Sequence, residues 1–481
     1  MSITTDRIEF GTDGIRGVAG LFPLDPLTLL KIGRALGELA RQQPTPQVII
    51  GRDTRVSGDM ISAALIAGLT GSGVTVTEVG IMSTPGLAYL TRVRGMTLGI
   101  MVSASHNPYE QNGIKVFGGD GYKLSDSDEE TLEGIIADYD VSQPTVDLAP
   151  AHLDHNAAAQ YIQFLSESFS EQPLRDFEVV LDCSNGAASF IAPAAFRELG
   201  AQVTALKANP TGTNINLNCG SEFVRRNRSA LLSAIKGSDA DLGIAFDGDA
   251  DRVVLVTPDG MLIDGDHLLG ILGVQLKRLG KLPGDTVVAT DMSNSGLEHF
   301  LDAHGIHLLR TKVGDRYVME AMQKGGFALG GEQAGHLITR DHPNRTSGDG
   351  IYVGILAAVL AAHSQREGKP LAELAREIPR YPQVIASAHL NSKADLKLVP
   401  GLAELTEQTL AAFGGKGRVN LRFSGTEPNL LRAMVEGGPE NDLKEVVLRA
   451  LRLCGVVASV TGTANPKIDV VDCVTGAPVE V

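Results

Sequence analysis

Short apolar runs recur along the chain, and each empties into a loop of Gly, Asp, Ser or Asn before a helical stretch begins. Val48-Ile49-Ile50 leads through Asp53 to a helical segment at 58–68 and a strand from Gly73. Phe177 to Asp182 leads to a helix at 187–199 and a strand from Gly200, and Thr286 to Asp291 leads to a helix at 297–304 and a strand from Gly305. Each unit reads strand, Asp-containing loop, helix, glycine stop, strand. That order predicts a βαβ crossover whose helix is ended by glycine, and hence largely parallel sheets covered on both faces. Three copies predict three related α/β domains.

The pattern changes after about residue 380. Strand 383–389, helix 402–412, strands 418–423 and 430–436, and helix 443–453 predict a smaller α+β domain of another type. Residues 467–481 fit either an added β-hairpin or a frayed tail. Polar, proline-containing stretches at 140–155 and 378–384 are the expected joints. The longest uncharged apolar run, 351–362, is predicted to be a buried helix, because a bilayer span needs about 20 residues.

Composition narrows the classes. A chain of 481 residues with 43% hydrophobic and 21% charged residues has room for several globular domains. Its formal charge of −15 argues against a nucleic-acid partner, and an anionic small substrate would need locally clustered Arg and Lys. Cys183, Cys219, Cys454 and Cys473 form no CxxC pair, so neither a zinc site nor a disulfide framework is expected. A reducing cytoplasm fits this cysteine usage, and the N-terminus lacks a signal-peptide h-region. No membrane association is expected.

Four loops carry candidate chemistry. The apolar strand 98–102 breaks into Ser103-Ala104-Ser105-His106-Asn107-Pro108, which brings Ser105 to the C-terminal edge of a sheet. His106 adjoins it, Lys115 follows ten residues on, and a glycine-rich stretch at 7–20 surrounds Asp13 and Arg16. Asp247-Gly248-Asp249-Ala250-Asp251-Arg252 follows the apolar strand 242–246. Three short carboxylates with small spacers can converge on one hard cation, which relieves their repulsion. An EF-hand is excluded because Arg252 and Pro258 stand where its Gly and Glu belong. Magnesium is therefore the expected ion. Glu332 and His336, in a glycine-rich loop at 330–336, suit sugar hydroxyls. In the last domain, Ser424-Gly425-Thr426 offers consecutive amides and hydroxyls, and Arg422 and Arg432 can clamp phosphate oxygens. Neither a Walker A loop nor a Gly-x-Gly-x-x-Gly fingerprint is present.

Taken together and in this order, the four loops resemble those of the α-D-phosphohexomutase family over essentially the whole chain. The resemblance implies three α/β domains and a TATA-box-binding-protein-like fourth around a central cleft. The expected spans are 1–154 for the phosphoserine domain, 155–259 for the metal-binding domain, 260–378 for the sugar-binding domain and 379–481 for the phosphate-binding domain with its tail. It implies Ser105 as phosphoryl carrier and Asp247, Asp249 and Asp251 as Mg²⁺ ligands, with the Ser105 phosphate completing the site. Arg16 and Lys115 match residues that assist proton transfer and charge balance, and His106 joins them as a candidate catalytic neighbour. Glu332 and His336 match sugar contacts, whereas Arg422, Ser424, Gly425 and Thr426 match the grip on the non-reacting phosphate. Arg252 is a further candidate for binding phosphate.

The implied reaction moves phosphate between the 6- and 1-positions of a hexose through a bisphosphate, with a hexose 1,6-bisphosphate activating Ser105. The expected partner is a small hexose phosphate, and association into a homodimer is left open. Residues 10–17, Asn214-Ile215-Asn216 with Cys219-Gly220, and Gly331-Glu332-Gln333 resemble a bacterial branch that interconverts glucosamine 6-phosphate and glucosamine 1-phosphate. Ala334 stands where that branch usually has Ser, a change of about 1 kcal/mol if the hydroxyl bonded the sugar directly. Glucose or mannose phosphates are the alternative substrates, and a non-catalytic sugar-phosphate sensor is the rival from another class. A phosphatase that attacks with its aspartates has no use for the serine and last-domain loops.

Overall fold

The computed structural model describes residues 8–11, 13–139, 147–424, 427 and 429–480. The expectations for residues 1–7, for 140–146 of the first joint, and for Gly425, Thr426 and Pro428 lie outside the described residues.

Four sheets follow one another along the chain. The first contains β1 (Ile15–Val18), β2 (Gln47–Arg52), β3 (Thr75–Ile81), β4 (Leu98–Val102), β5 (Gln111–Gly118) and β6 (Ala151–Leu153), in the order β1-β5-β4-β2-β3-β6. The second contains β7 (Glu178–Asp182), β8 (Gln202–Leu206), β9 (Leu242–Phe246), β10 (Val253–Val256) and β11 (Leu262–Ile263), ordered β11-β10-β9-β7-β8. Because β11 hydrogen-bonds to β10, this sheet reaches Ile263, past the boundary expected at 259. In the third, β12 (Thr286–Thr290), β13 (His307–Thr311), β14 (Leu329–Gly331) and β15 (Leu337–Thr339) take the order β13-β12-β14-β15. The last sheet is wholly antiparallel: β17 (Arg418–Phe423), β18 (Leu430–Glu436), β16 (Gln383–His389) and β19 (Ile468–Asp472).

The three predicted βαβ crossovers are present, with β2–β3, β7–β8 and β12–β13 all parallel. The sheets are nonetheless mixed. Only the Ser103–Glu110 loop separates β4 from β5, too short for a crossover, so β5 returns antiparallel. Gly200 and Gly305 stop their helices in the left-handed region as expected, at φ +94° and +66°. The first helix differs: it runs Gly58–Thr70, its cap Gly71 is right-handed, and left-handed Gly73 comes two residues later. A hydrogen bond from Ser72 Oγ to the Gly68 carbonyl holds that extra turn. Helix Gly350–Arg366 covers the apolar run and is buried along most of its length. Helix Leu443–Val460 outruns the predicted end at 453. The C-terminal stretch takes the hairpin alternative: β19 pairs with β16 and the chain returns with Val479 N–H donating to the Val470 carbonyl.

Apolar burial divides the molecule unequally. One continuous core runs through all three α/β units, from Met101 and Phe117 through Tyr161 and Phe246 to Leu329 and Ile355. The last unit buries its apolar residues in a separate cluster between its sheet and helix Leu443–Val460. Polar groups link it to the third unit. Buried Glu436 accepts Ser295 N–H at 3.1 Å and Arg418 Nε–H at 2.8 Å, while Arg418 also donates to the Asp291 and Ser293 carbonyls. Among the described residues, no helix is long and apolar enough to cross a membrane.

Candidate active site

Strand β4 is buried throughout, and its end delivers the serine loop to the point where β9 delivers the aspartate loop. Ser105 is buried, sits at φ +52°, and donates from Oγ to Asp247 Oδ2 at 2.6 Å. His106 Nδ1 lies 3.3 Å from the same hydroxyl. Burial, then Arg252, pulls the His106 imidazole down to about 3, which leaves the ring neutral at neutral pH.

The β4–β5 register places Lys115 opposite Met101, and the side chain reaches the aspartate loop. Its ammonium is buried, 2.8 Å from Asp249 Oδ2, 3.2 Å from Asp251 Oδ2 and 3.3 Å from Asp13 Oδ2. Burial opposes that charge, but Asp13, Asp249 and Asp251 outweigh it and raise the lysine well above its ordinary value. Arg16, on β1 opposite Gly113 of β5, pairs with Asp13.

All three loop aspartates are buried, and one carboxylate oxygen from each lies within 4.8 Å of the others. Burial, then Asp251 and Asp249, pushes the Asp247 carboxyl well above the carboxylate range. Burial acts the same way on Asp251, yet Lys115 and His336 overcome it and hold that carboxyl well below the range. Thr84 Oγ donates to Asp249 Oδ2 at 2.6 Å. Asp249 Oδ1 and Asp251 Oδ1 are buried without a hydrogen-bond partner. An all-oxygen set with two such oxygens fits a hard divalent cation, which would supply the missing interactions.

Glu332 and His336 occupy the tight turn joining β14 to β15. Glu332 N–H donates to the His336 carbonyl at 2.9 Å, and Gly335 sits at φ +95°. A side chain at Gly335 would come within 2.2 Å of the Val253 carbonyl, so only glycine lets this turn lie against the chain leaving the aspartate loop. His336 Nδ1 is 3.7 Å from Asp251 and Nε2 is 3.6 Å from Asp315. Although burial disfavours its charge, those two carboxylates raise the imidazole above its ordinary value. Burial raises the Glu332 carboxyl, with His336 and Arg252 opposing. Arg252 also faces Asp251 and Asp247, which outweigh burial and raise it.

On the last sheet Arg422 and Arg432 are direct cross-strand partners. Burial, then Arg432, lowers the Arg422 guanidinium, with Glu332 of the β14–β15 turn opposing. Like charges set opposite one another on a sheet cost stability, and an anion between them would relieve that cost. Ser424 is buried and its Oγ accepts Glu427 N–H at 3.1 Å, while Arg432 donates to Glu427 Oε1 at 2.9 Å. Thus Ser105, His106, Lys115, Arg16, the aspartates, Arg252, Glu332 and His336 form one cluster. Among the described residues, neither Arg422 nor Arg432 makes an ion pair with it.

The structure adds residues to which sequence reasoning gave no role. Lys123 bridges Asp13 and Asp315 at 2.7 Å each, which closes a ring of alternating charge through His336, Asp251 and Lys115. Asp53, Arg55 and Asn216 support the serine loop. Asp53 was legible as the strand-end aspartate of the first repeat, and Asn216 only as part of the Asn214-Ile215-Asn216 motif, with no role at the serine loop; no local signal marked Arg55 or Lys123.

Comparison with known proteins bears on the order of the four units. Models of the phosphoglucomutase/phosphomannomutase family match in order: alpha/beta/alpha domain I over residues 7–143, domain II over 159–260, domain III over 264–381 and the C-terminal domain over 387–453. A phosphoglucosamine mutase of Pelotomaculum thermopropionicum is 45% identical over 450 residues, covering 93% of this chain and 98% of that protein. That of Sphingopyxis alaskensis is 44% identical over 445 residues, covering 92% and 97%. A solved phosphoglucomutase/phosphomannomutase family protein from Burkholderia thailandensis superposes with a TM-score of 0.76 at 25% identity, over 95% of this chain and 98% of that one. With four domain models matched in sequence and full-length relatives above two-fifths identity, the chain belongs to the phosphoglucomutase/phosphomannomutase family.

Proposed function

We propose that this protein is a phosphoglucosamine mutase that converts glucosamine 6-phosphate to glucosamine 1-phosphate. The observation that carries the chemistry is the Ser105 hydroxyl, 2.6 Å from Asp247 inside a buried aspartate cluster bridged by Lys115. The sugar rests on the near-full-length relatives that bear that name.

Phospho-Ser105 gives its phosphoryl group to the sugar O1: the Oγ–P bond breaks, an O1–P bond forms, and the O1 proton passes to the enzyme. The resulting glucosamine 1,6-bisphosphate turns over in the cleft. Its O6–P bond then breaks, the group returns to Ser105 Oγ, and O6 takes a proton. Most of the barrier falls through positioning and charge neutralisation. Lys115 and Arg16 supply positive charge beside the reacting oxygens and assist proton transfer, with His106 against Oγ. Asp247, Asp249 and Asp251, with an oxygen of phospho-Ser105, would hold Mg²⁺, which neutralises charge on the transferring group. Glu332 and His336 contact sugar hydroxyls and Arg252 contacts phosphate. Arg422, Ser424, Gly425, Thr426 and Arg432 grip the phosphate that is not reacting.

Ala334 favours keeping glucose and mannose phosphates as a second reading, because that position offers the sugar no hydroxyl. The test is a panel of glucosamine, glucose and mannose monophosphates, each with Mg²⁺ and a catalytic amount of hexose 1,6-bisphosphate. Glucosamine 6-phosphate should turn over fastest, and Ser105→Ala should abolish turnover and phosphoryl uptake measured by intact mass. Absence of turnover with glucosamine 6-phosphate ends the sugar assignment. A parent that takes up no phosphoryl group and turns nothing over favours the sensor.

A further inference from the structure

Ser105 carries its reactive hydroxyl on a backbone that an L-residue seldom adopts, at φ +52°. Something must hold it there, and the hydrogen bonds identify what does. Arg55 is buried, and its guanidinium uses all five of its N–H groups. Nε donates to Asp53 Oδ2 at 2.9 Å. One terminal nitrogen donates to the carbonyls of Ser105 at 2.9 Å and Asn107 at 2.8 Å. The other donates to Gln111 at 3.1 Å and to Pro108. The serine loop is therefore wrapped around one planar guanidinium, with four main-chain carbonyls turned inward upon it.

Two further supports converge on the same segment. Asp53 Oδ2 accepts the Ser103 hydroxyl at 2.6 Å, and Ser103 Oγ in turn accepts Ser105 N–H at 2.9 Å. From the second α/β unit, Asn216 Nδ2 donates to the Ser105 carbonyl at 2.9 Å and the Asn107 carbonyl at 3.1 Å. Gly248, inside the aspartate loop, lies so close to the Ser105 carbonyl that a side chain there would come within 2.5 Å of it. The carbonyl of Ser105 is thus gripped by two units while its hydroxyl faces the aspartates. Neither Arg55 nor Asn216 is within hydrogen-bond reach of that hydroxyl, so whatever they contribute acts through the backbone.

We infer that Arg55 and Asn216 are positioning residues for phosphoryl transfer, a two-sided clamp on the Ser105 and Asn107 carbonyls that fixes where Oγ meets the metal loop and the sugar. This rests on the reading of Ser105 as the phosphoryl carrier. Lysine cannot replace Arg55, because one ammonium with three donors cannot span five acceptors in a plane. Asn216 sits at φ +59°, so Asn216→Gly removes the amide without straining the backbone.

The experiment charges the parent, Arg55→Lys and Asn216→Gly with glucose 1,6-bisphosphate and Mg²⁺, following phosphoryl uptake by intact mass. Steady-state kcat and KM per folded molecule and thermal unfolding are measured beside it. The parent should take up one phosphoryl group. Asn216→Gly should charge and turn over about tenfold more slowly, and Arg55→Lys about a hundredfold, with KM for the monophosphate unchanged. Variants that charge and turn over at the parental rate per folded molecule, whatever their thermal midpoint, overturn the inference alone. A parent that accepts no phosphoryl group overturns the reading of Ser105 and takes this inference with it.

Discussion

Lys115→Met tests whether lysine and metal share the aspartate loop. The ammonium lies 2.8, 3.2 and 3.3 Å from three carboxylates, and the side chain is only 1% exposed. Opposite charges at such distances attract by roughly 5 kcal/mol at an effective dielectric of 20, but burying them consumes much of that gain. Deleting one partner of a buried ion pair costs about 3–5 kcal/mol, because the carboxylates left behind are unpaired. Methionine keeps the length and apolar stem, so the loss isolates the charge. A divalent cation can repay part of it: at a hundred times its dissociation constant a ligand stabilises by about 2.7 kcal/mol. The assay is thermal unfolding with and without Mg²⁺, beside a calorimetric Mg²⁺ titration. The variant should unfold well below the parent in the absence of metal and gain more from Mg²⁺ than the parent does. Parental stability in the variant, or an equal Mg²⁺ shift in both proteins, would refute the reasoning.

Two other expectations follow from single groups. Burial raises the Asp182 carboxyl to about 6, although it accepts Ser184 N–H at 2.9 Å and Gly220 N–H at 3.1 Å. A raised carboxyl binds its proton more tightly in the native state than in the unfolded one, so stability falls as pH climbs between roughly 4 and 6, by about 3 kcal/mol in all. Asp182→Asn lacks that titration. Its stability advantage over the parent should be small at pH 4 and grow to a plateau above pH 6, and a gap independent of pH in denaturant melts would defeat the assignment. Arg422→Met should raise KM for the sugar phosphate about tenfold or more, the value of a charge-assisted hydrogen bond, and leave the unliganded protein as stable as before or slightly more so, because it removes the repulsion from Arg432. A lower melting temperature with unchanged KM would make the pair structural.

What could be read in advance follows from how local each cause is. The strands ending at Val102 and Phe246 were legible because an apolar run stopped by Pro, Gly or Asp is a property of a few neighbouring residues. The aspartate triplet was legible for the same reason: its repulsion is written in alternate positions, and burial only sharpens it. Arg55 was not, because its role depends on carbonyls of residues 105 to 111 turning toward it, and carbonyl directions leave no trace in side-chain pattern. The Lys123–Asp315 pair spans 192 residues and depends on how the first and third units meet. The C-terminal hairpin depended on whether β16 offered a free edge, which a period-two pattern at 468–472 cannot report.

The distribution of burial bears on how one site can treat both ends of a sugar. The three α/β units are joined by a shared apolar core, and separating them would expose that surface at about 25 cal/mol for each Å². The last unit keeps its core to itself and meets its neighbours through polar contacts, among them Arg418, Glu436 and Ser295, Gln383 with Met292, and Arg225 with Cys473. Hydrogen bonds of this kind exchange for water at a net difference of about 1 kcal/mol each, or somewhat more where a charge takes part. The loops that carry Ser105, the three aspartates and Glu332 are therefore fixed relative to one another by the costlier glue. The loop that carries Arg422 is attached by the cheaper. On the proposed reading, a bisphosphate would present first one phosphate and then the other to Ser105, and that reaction would need the inequality: rigidity where the phosphoryl group moves, and a reversible joint where its counterpart is held.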